Sequence, residues 1–256
     1  LNVFFNPVVN AARAIAVQVI AGLNQFVMSF QTAVNPQIIK SYAAGDNRRM
    51  TTLANKGIVY SYYLLMMLCL PVILNMDYIL RLWLKTPPAY CVSFCTMSIV
   101  GAMTDCLSNL LATVAKAYGK IRNYQLVVSA VLFLNFPLSY VALKLGASPV
   151  SVYVVYVGVS LLLLCLRLWL LHRMVRYNTR LYLRTVLLRI VSVTLVAIPI
   201  AYVIRQQMND SWQTLIVSSS LSVLTVSIVV YVIGMTKVER TMVNDKLKIL
   251  IQRCKN

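Results

Sequence analysis

The amino-acid sequence predicts an all-α protein, a polytopic membrane helix bundle of about seven transmembrane helices. Of its 256 residues, 60% are hydrophobic and only 12% are charged, and the mean hydropathy is +0.76. An ordinary soluble domain has about 25% charged residues. A membrane-spanning helix needs about 20 apolar residues, and seven segments of the chain meet or approach that length. These observations exclude a disordered basic tail and a soluble enzyme with a single core.

The seven predicted spans follow one another along the chain with short connections. They lie at residues 8–35, 56–76, 92–115, 124–143, 149–171, 185–205 and 213–235. Pro71, Pro137 and Pro199 fall inside the second, fourth and sixth spans. Membrane helices tolerate such kinks where neighbouring groups bond the freed carbonyls, and kinked helices are common in proteins that change shape.

The basic residues are distributed unevenly between the two ends of the predicted spans. The chain has 24 Lys and Arg against 6 Asp and Glu, a net charge of +18. The connections that follow spans one, three and five, with the adjoining ends of the spans, and the tail hold 19 of these basic residues, among them Arg167. The other connections hold 4, and Arg13 lies within span one. The positive-inside rule therefore predicts a cytoplasmic carboxyl terminus and an amino end on the outer side, and nucleic acid is not needed to explain the charge.

The odd number of spans and the predicted outer start lead us to expect a fragment of a longer protein. The chain begins at Leu1, and no signal-like segment opens it. We expect that helices precede the first span in the longer protein.

A polar stripe runs along span one. At 100° per residue its members fall within about 60° of one another: Asn6, Asn10, Arg13, Asn24, Gln31 and Asn35. A flanking line consists of Gln18, Gln25 and Thr32. From Asn10 to Asn35 the stripe is about 38 Å long at 1.5 Å per residue, which is the depth of the bilayer. We interpret it as lining a water-filled path for polar cargo; the alternative is hydrogen bonding between helices inside the bundle. The predicted path residues are Asn10, Arg13, Gln18, Asn24, Gln31 and Asn35.

Two charged residues lie where membrane insertion does not explain them. Arg13 either extends its side chain to the outer interface or binds an anionic head group, since the guanidinium matches phosphate oxygens. Asp105 is the only acid well inside a span, and Ser98, Asn109 and Lys116 share its side of the helix. We predict that Asp105 and Asn109 take part in coupling to H⁺ or Na⁺; the alternative is a structural ion pair with Arg13.

Four arginines after the fifth span form a predicted basic face on the membrane surface. They fall within about 80° of one another on a helix: Arg173, Arg176, Arg180 and Arg184. Attraction to anionic lipid explains this face, at about 1 kcal/mol per basic residue. A docking site for a pyrophosphate-linked substrate is the alternative.

The residue patterns of enzymes and metal sites are missing from the sequence. The six cysteines lack metal-ligand spacing, and His172 is the only histidine. There is no Gly-rich phosphate loop of the Walker type, and no nucleophile elbow or paired carboxylates. We therefore predict a protein that is not an enzyme and has no metal or resident cofactor.

Three stretches resemble the polysaccharide-biosynthesis flippases, which move O-antigen-type lipid-linked oligosaccharides. Residues 4–46 contain their pattern of a polar helix ending in Asn-Pro-Gln-Ile at 35–38, then Lys-Ser-Tyr-Ala and Gly-Asp within 40–46. Residues 77–90 and 117–125 are also similar to this family. The family belongs to the multidrug, oligosaccharidyl-lipid and polysaccharide exporter superfamily, whose members include the MATE transporters.

The resemblance implies an exporter of two six-helix lobes that works by alternating access. Residues 1–178 are then five transmembrane helices of the second lobe, 179–235 an additional helix pair, and 236–256 a basic cytoplasmic tail. The implied location is the bacterial inner membrane. The implied cargo is a polyprenyl-pyrophosphate-linked oligosaccharide, such as a lipopolysaccharide precursor, which is moved from the cytoplasmic to the outer leaflet. Membrane lipids and polysaccharide assembly proteins are the further expected partners.

Three other functions remain open at this stage. A cation-coupled multidrug exporter of the same superfamily is the main alternative, and Asp105 suits it, but Arg13 does not suit cationic drugs. A membrane glycan polymerase or ligase would usually need a larger external loop. A purely structural or assembly protein would not need the polar stripe of span one.

Overall fold

A computed structural model describes residues 5–119 and 121–245, and all regular structure in these two ranges is helical. The main helices are α1 (Pro7–Ala43), α2 (Asn47–Leu74), α3 (Met76–Leu84), α4 (Cys91–Tyr118), α5 (Arg122–Phe133), α6 (Asn135–Lys144), α7 (Ser151–Val175), α8 (Thr179–Tyr182), α9 (Leu188–Gln206) and α10 (Trp212–Val229). Single π-helical turns follow α8 and α10, at Leu183–Leu187 and Val230–Gly234. Most of the predicted tail, residues 246–256, lies outside the described ranges.

Seven helical stretches of the described chain are long and apolar enough to cross a membrane, which confirms the predicted polytopic all-α fold. The first span is longer than its apolar pattern predicts, because α1 continues through Pro36 to Ala43. Asp46 caps the next helix, since its side chain accepts a hydrogen bond of 2.8 Å from the Arg49 backbone N–H.

Helix α4 lies at the centre of the bundle and packs against α1, α2 and α7. Fully buried side chains such as Ile58 of α2 and Phe94 and Leu110 of α4 form the core. Gly57 permits the close approach of α2 and α4, since a Cβ there would lie 2.7 Å from Leu110 Cδ1. Small residues at helix contacts serve this purpose in membrane proteins.

The peripheral helices are attached to different sides of this core. Helices α5 and α6 pack on α7, whereas α9 and α10 pack on α2 and on each other. The helix of the fourth span is interrupted at Leu134, between α5 and α6. This is expected from Pro137, because a proline ring clashes with the carbonyl four residues earlier. Pro71 and Pro199 lie within α2 and α9 without ending them, so of the three prolines only Pro137 coincides with a break inside a predicted span.

Helix α3 is an element that the hydropathy pattern did not predict. It is short and amphipathic: Met76 and Leu80 are buried, and Asp77 and Arg81 form an exposed ion pair of 2.6 Å one turn apart. Most basic residues lie at one end of the bundle, which includes the α1–α2, α4–α5 and α7–α8 connections and is called the basic end below. Helix α3 joins α2 to α4 at the opposite end.

Candidate functional site

The structure divides the predicted stripe of α1 into two halves. Near the basic end, Gln31 is 4% exposed, and its amide donates to Cys106 Sγ at 3.7 Å. Asn35 Oδ1 accepts a hydrogen bond of 2.8 Å from the Thr113 hydroxyl. Both partners belong to α4, so these two stripe residues form hydrogen bonds between helices in this structure.

The other half of the stripe is more open. Arg13 and Gln18 are exposed, and Asn10 and Asn24 are half-buried. In the part of the chain that the structure describes, Arg13 forms no ion pair. The structural ion pair of Arg13 with Asp105, which was the alternative to a coupling role, is therefore not formed.

The exposed side of α1 contains a strip of small and polar residues between Ala14 and Ala33. Its members fall within about 120° of one another on the helix: Ala14, Gln18, Ala21, Gly22, Gln25, Ser29, Thr32 and Ala33. We call this set the α1 polar face. Larger apolar residues, Val17 and Met28 on one side and Phe26 on the other, border it. The face includes the flanking line of the sequence analysis, and the Thr32 and Ser29 hydroxyls bond back to the carbonyls of their own helix.

Asp105 lies in the interface of α4 with α7. Its Oδ1 accepts a hydrogen bond of 2.7 Å from the Ser160 hydroxyl, and its Oδ2 accepts one from the Tyr156 hydroxyl. Gly101, one turn earlier on α4, makes room for the Tyr156 ring, because a Cβ there would lie 2.8 Å from a ring carbon. Both carboxylate oxygens are therefore bonded to α7. Asn109, the other predicted coupling residue, is half-buried on the same helix.

Arg167 also lies in this interface, although the sequence analysis counted it among the basic residues near the membrane surface. Its Nη1 donates to the Ser108 carbonyl at 2.9 Å and to the Ser108 hydroxyl at 3.2 Å. With Asp105, it places one negative and one positive group between α4 and α7. We call this set the α4–α7 seam: Ser98, Asp105 and Ser108 of α4 with Tyr153, Tyr156, Ser160 and Arg167 of α7.

The α7 half of the seam was missed by the sequence analysis. Tyr153, Tyr156, Ser160 and Arg167 fall within about 60° of one another on a helix. The other residues between them are mostly Val and Leu. This helical periodicity was therefore the signal in the sequence that could have predicted a polar side of α7 facing the acid of α4.

The four predicted surface arginines are all exposed at the basic end. The guanidinium of Arg173 stacks over the ring of Trp169, with its Cζ 4.2 Å from the centroid. These residues are far along the chain from the α1 polar face and form a second polar region.

No cluster of three potential metal-ligating side chains occurs within residues 5–119 and 121–245. Four of the cysteines in these ranges are buried and Cys165 is exposed, all as free thiols. Cys254 lies outside the described residues.

A family comparison identifies the transporter class of this bundle. The family model MatE matches residues 6–141, which is more than half of the chain and extends from α1 into α6. The chain belongs to the MatE family. It is thus a multi-pass membrane transporter of the multidrug, oligosaccharidyl-lipid and polysaccharide exporter superfamily. No curated protein and no solved structure matches it.

The matched region of this MatE protein contains the α1 polar face and the α4 half of the seam. The α7 half of the seam, the surface arginines, α9 and α10 follow the matched region. MatE proteins are transporters and not enzymes, so the polar groups inside the bundle are candidates for cargo binding or coupling.

Proposed function

We propose that this MatE protein is a flippase for a polyprenyl-pyrophosphate-linked oligosaccharide. It moves the oligosaccharide from the cytoplasmic to the outer leaflet of the bacterial inner membrane by alternating access. The observation that carries the proposal is the α1 polar face, an exposed strip of amides, hydroxyls and small side chains on a spanning helix. Sugar hydroxyls need such hydrogen-bonding partners, while the polyprenyl tail stays in the lipid.

Arg13 supports an anionic cargo. It is exposed on the same helix, separated from the α1 polar face by Val17, and the described part of the chain gives it no acidic partner. A guanidinium binds phosphate oxygens through parallel N–H groups. We therefore assign Arg13 to the pyrophosphate, and the side-chain amides of Gln18 and Gln25 to the sugars.

The direction of transport rests on the charge distribution. The basic end is placed on the cytoplasmic side by the positive-inside rule, which also puts the carboxyl terminus there. Arg13 then lies toward the outer side, where it would hold the pyrophosphate after the cargo has crossed most of the bilayer.

A cation-coupled multidrug exporter is the second candidate, and Asp105 is the observation that favours it. An intramembrane carboxylate is a natural site for a coupling proton or Na⁺. Its two oxygens are bonded to Tyr156 and Ser160, so the acid does not belong to the exposed α1 polar face where a cationic drug would meet it. Asp105 therefore suits coupling better than drug binding, and coupling is compatible with a flippase.

The test compares Arg13→Ala and Arg13→Lys in cells that depend on the protein. We expect Arg13→Ala to reduce surface glycan at unchanged protein abundance, and Arg13→Lys to retain part of it, because lysine keeps the charge but loses the paired N–H groups. Arg48→Ala is the matched control, since Arg48 is an exposed arginine in the first turn of α2. Normal glycan in both Arg13 variants, or export of a cationic dye that Arg13→Ala leaves intact, contradicts the proposal.

A further inference from the structure

The connection between α7 and the following helices holds an unusual density of uncompensated positive charge. Residues 173–184, here called the arginine segment, include the exposed Arg173, Arg176, Arg180 and Arg184. The ion pairs found within the described ranges all involve other arginines. The four guanidinium groups therefore repel one another without a protein counter-charge.

The arginine segment is nevertheless held in one conformation by buried side chains. Tyr177 is 1% exposed, and its hydroxyl donates to Asn55 Oδ1 of α2 at 2.5 Å. Tyr182 is fully buried, and its hydroxyl donates to the Leu107 carbonyl of α4 at 2.7 Å. Asn178 accepts a hydrogen bond of 3.0 Å from the Leu181 backbone N–H and so caps α8. The arginines are thus displayed from a backbone anchored to the core.

Apolar side chains are interspersed with these arginines on the surface. Leu181 and Leu183 are exposed between Arg180 and Arg184. Trp169, on the last turns of the α7 span, is 49% exposed under the Arg173 guanidinium. Tryptophan and arginine side chains of this kind occupy the level of lipid head groups. The segment therefore has an apolar contact for acyl chains beside cationic groups for a phosphate.

We propose that the arginine segment is a binding site for anionic phospholipid at the basic end of the bundle. The guanidinium groups bind the phosphate of the head group, and the exposed leucines contact the upper acyl chains. Bound lipid supplies the missing counter-charge, and the anchored backbone reduces the conformational entropy lost on binding. This inference is independent of the cargo, since it uses no residue of the α1 polar face or of the seam.

The experiment uses Trp169 as a fluorescent reporter in reconstituted liposomes. The other two tryptophans, Trp83 and Trp212, are replaced by Phe in every variant. The liposomes contain phosphatidylcholine with either phosphatidylglycerol or more phosphatidylcholine, brominated on the acyl chains as the quencher. We expect brominated phosphatidylglycerol to quench Trp169 at lower mole fraction than brominated phosphatidylcholine. Each Arg→Gln change at Arg176, Arg180 or Arg184 should weaken that preference by about fivefold.

A charge-matched variant separates a local site from general attraction to the membrane. It replaces four exposed basic residues near the α1–α2 connection by Gln, one at the end of α1 and three at the start of α2: Lys40, Arg48, Arg49 and Lys56. The preference of Trp169 for phosphatidylglycerol should remain in this control and disappear when Arg173, Arg176, Arg180 and Arg184 are replaced together.

Three results would overturn the assignment. They are equal quenching by the two brominated lipids, an equal loss in the charge-matched control, and displacement by inorganic pyrophosphate without any preference for phosphatidylglycerol. The last result would assign the arginine segment to a pyrophosphate-bearing solute instead. Circular dichroism of each variant verifies that the helices are retained.

Discussion

Helices α1 and α9 expose very different surfaces at similar solvent accessibility. Helix α9 presents large apolar side chains, with Leu188 61% exposed and Leu195 69% exposed. Helix α1 presents alanine, glycine, glutamine, serine and threonine over the α1 polar face. The surface of α9 suits lipid tails, whereas an amide such as Gln25 is costly there without a partner. The two exposed surfaces therefore have different surroundings in the membrane. Because the surface of α9 suits lipid tails and that of α1 does not, we infer that α1 faces water and cargo.

Helix α1 and the α9–α10 pair also differ in the interactions that join them to the rest of the bundle. Near the basic end, α1 is joined to α4 by neutral groups, such as the Asn35–Thr113 hydrogen bond. The α9–α10 pair is held there by charge: Arg189 and Glu239 form an ion pair of 2.6 Å, and Arg189 Nε donates to the Gly234 carbonyl at 2.8 Å. At the opposite end, Arg205 Nε donates at 2.8 Å to Oδ1 of Asn75, the residue between α2 and α3.

The largest effect is expected from breaking the charged attachment. Glu239→Gln leaves Arg189 unpaired, and its side chain is only 18% exposed, so we expect a loss of about 3 to 5 kcal/mol in the free energy of unfolding. Thr113→Ala is the neutral comparison and should cost about 1 kcal/mol. Unfolding in mixed detergent and SDS measures both; equal losses would contradict the difference between the attachments.

The same ion pair gives the α9–α10 attachment a defined pH dependence. Burial opposes ionisation of Glu239, but the backbone N–H and hydroxyl of Thr236 and the Arg189 guanidinium outweigh it and lower its pKa from 4.5 to about 2. Because the folded-state pKa is the lower one, the stabilisation is complete above about pH 4.5 and is lost as the pH falls through about 2. The Glu239→Gln protein should lack this change between pH 4.5 and 2.

A smaller effect compares the two exposed surfaces with one matched substitution. Leu195→Lys places a charge at the middle of a lipid-facing helix and should disfavour insertion by about 3 kcal/mol. Ala21→Lys places the same charge on the α1 polar face, where water solvates it, and should cost much less. The amount of folded fusion protein in membranes, measured by fluorescence after size-exclusion chromatography, reports both. Similar losses for the two variants would remove the distinction between the surfaces.

The sequence was sufficient to predict the spanning helices and the side of α1 that Gln18, Gln25 and Thr32 share. Seven apolar segments and their basic connections predict the spanning helices, because membrane burial depends on length and composition. The helical periodicity of Gln18, Gln25 and Thr32 likewise predicts a shared side, and all three are exposed together. These features depend on local sequence and not on which helices become neighbours.

The contacts between helices could not be predicted in this way. Gln31 and Gln18 are both glutamines of one spanning helix, yet Gln31 is buried against Cys106 of α4 and Gln18 is exposed. Arg167 lies near the end of the predicted fifth span and was grouped with the basic residues that follow that span, but it bonds Ser108 inside the bundle. The packing of α4 decides whether each of these polar side chains is buried or exposed, and the sequence of one helix alone contains no information about that packing.

The most direct test of the account is the accessibility of single cysteines to a charged, membrane-impermeant methanethiosulfonate reagent. In a background without native cysteines, the thiol is introduced as Gln18→Cys, Ala21→Cys or Gln25→Cys on α1, and as Val191→Cys, Leu195→Cys or Ile198→Cys on α9. The thiolate of the cysteine attacks the sulfenyl sulfur of the reagent, which forms a mixed disulfide and releases methanesulfinate, and the thiolate forms only where water reaches the side chain. We predict rapid labelling at the three α1 positions and none at the three α9 positions. Unreactive thiols at all six positions would contradict the inference that α1 faces a water-filled path.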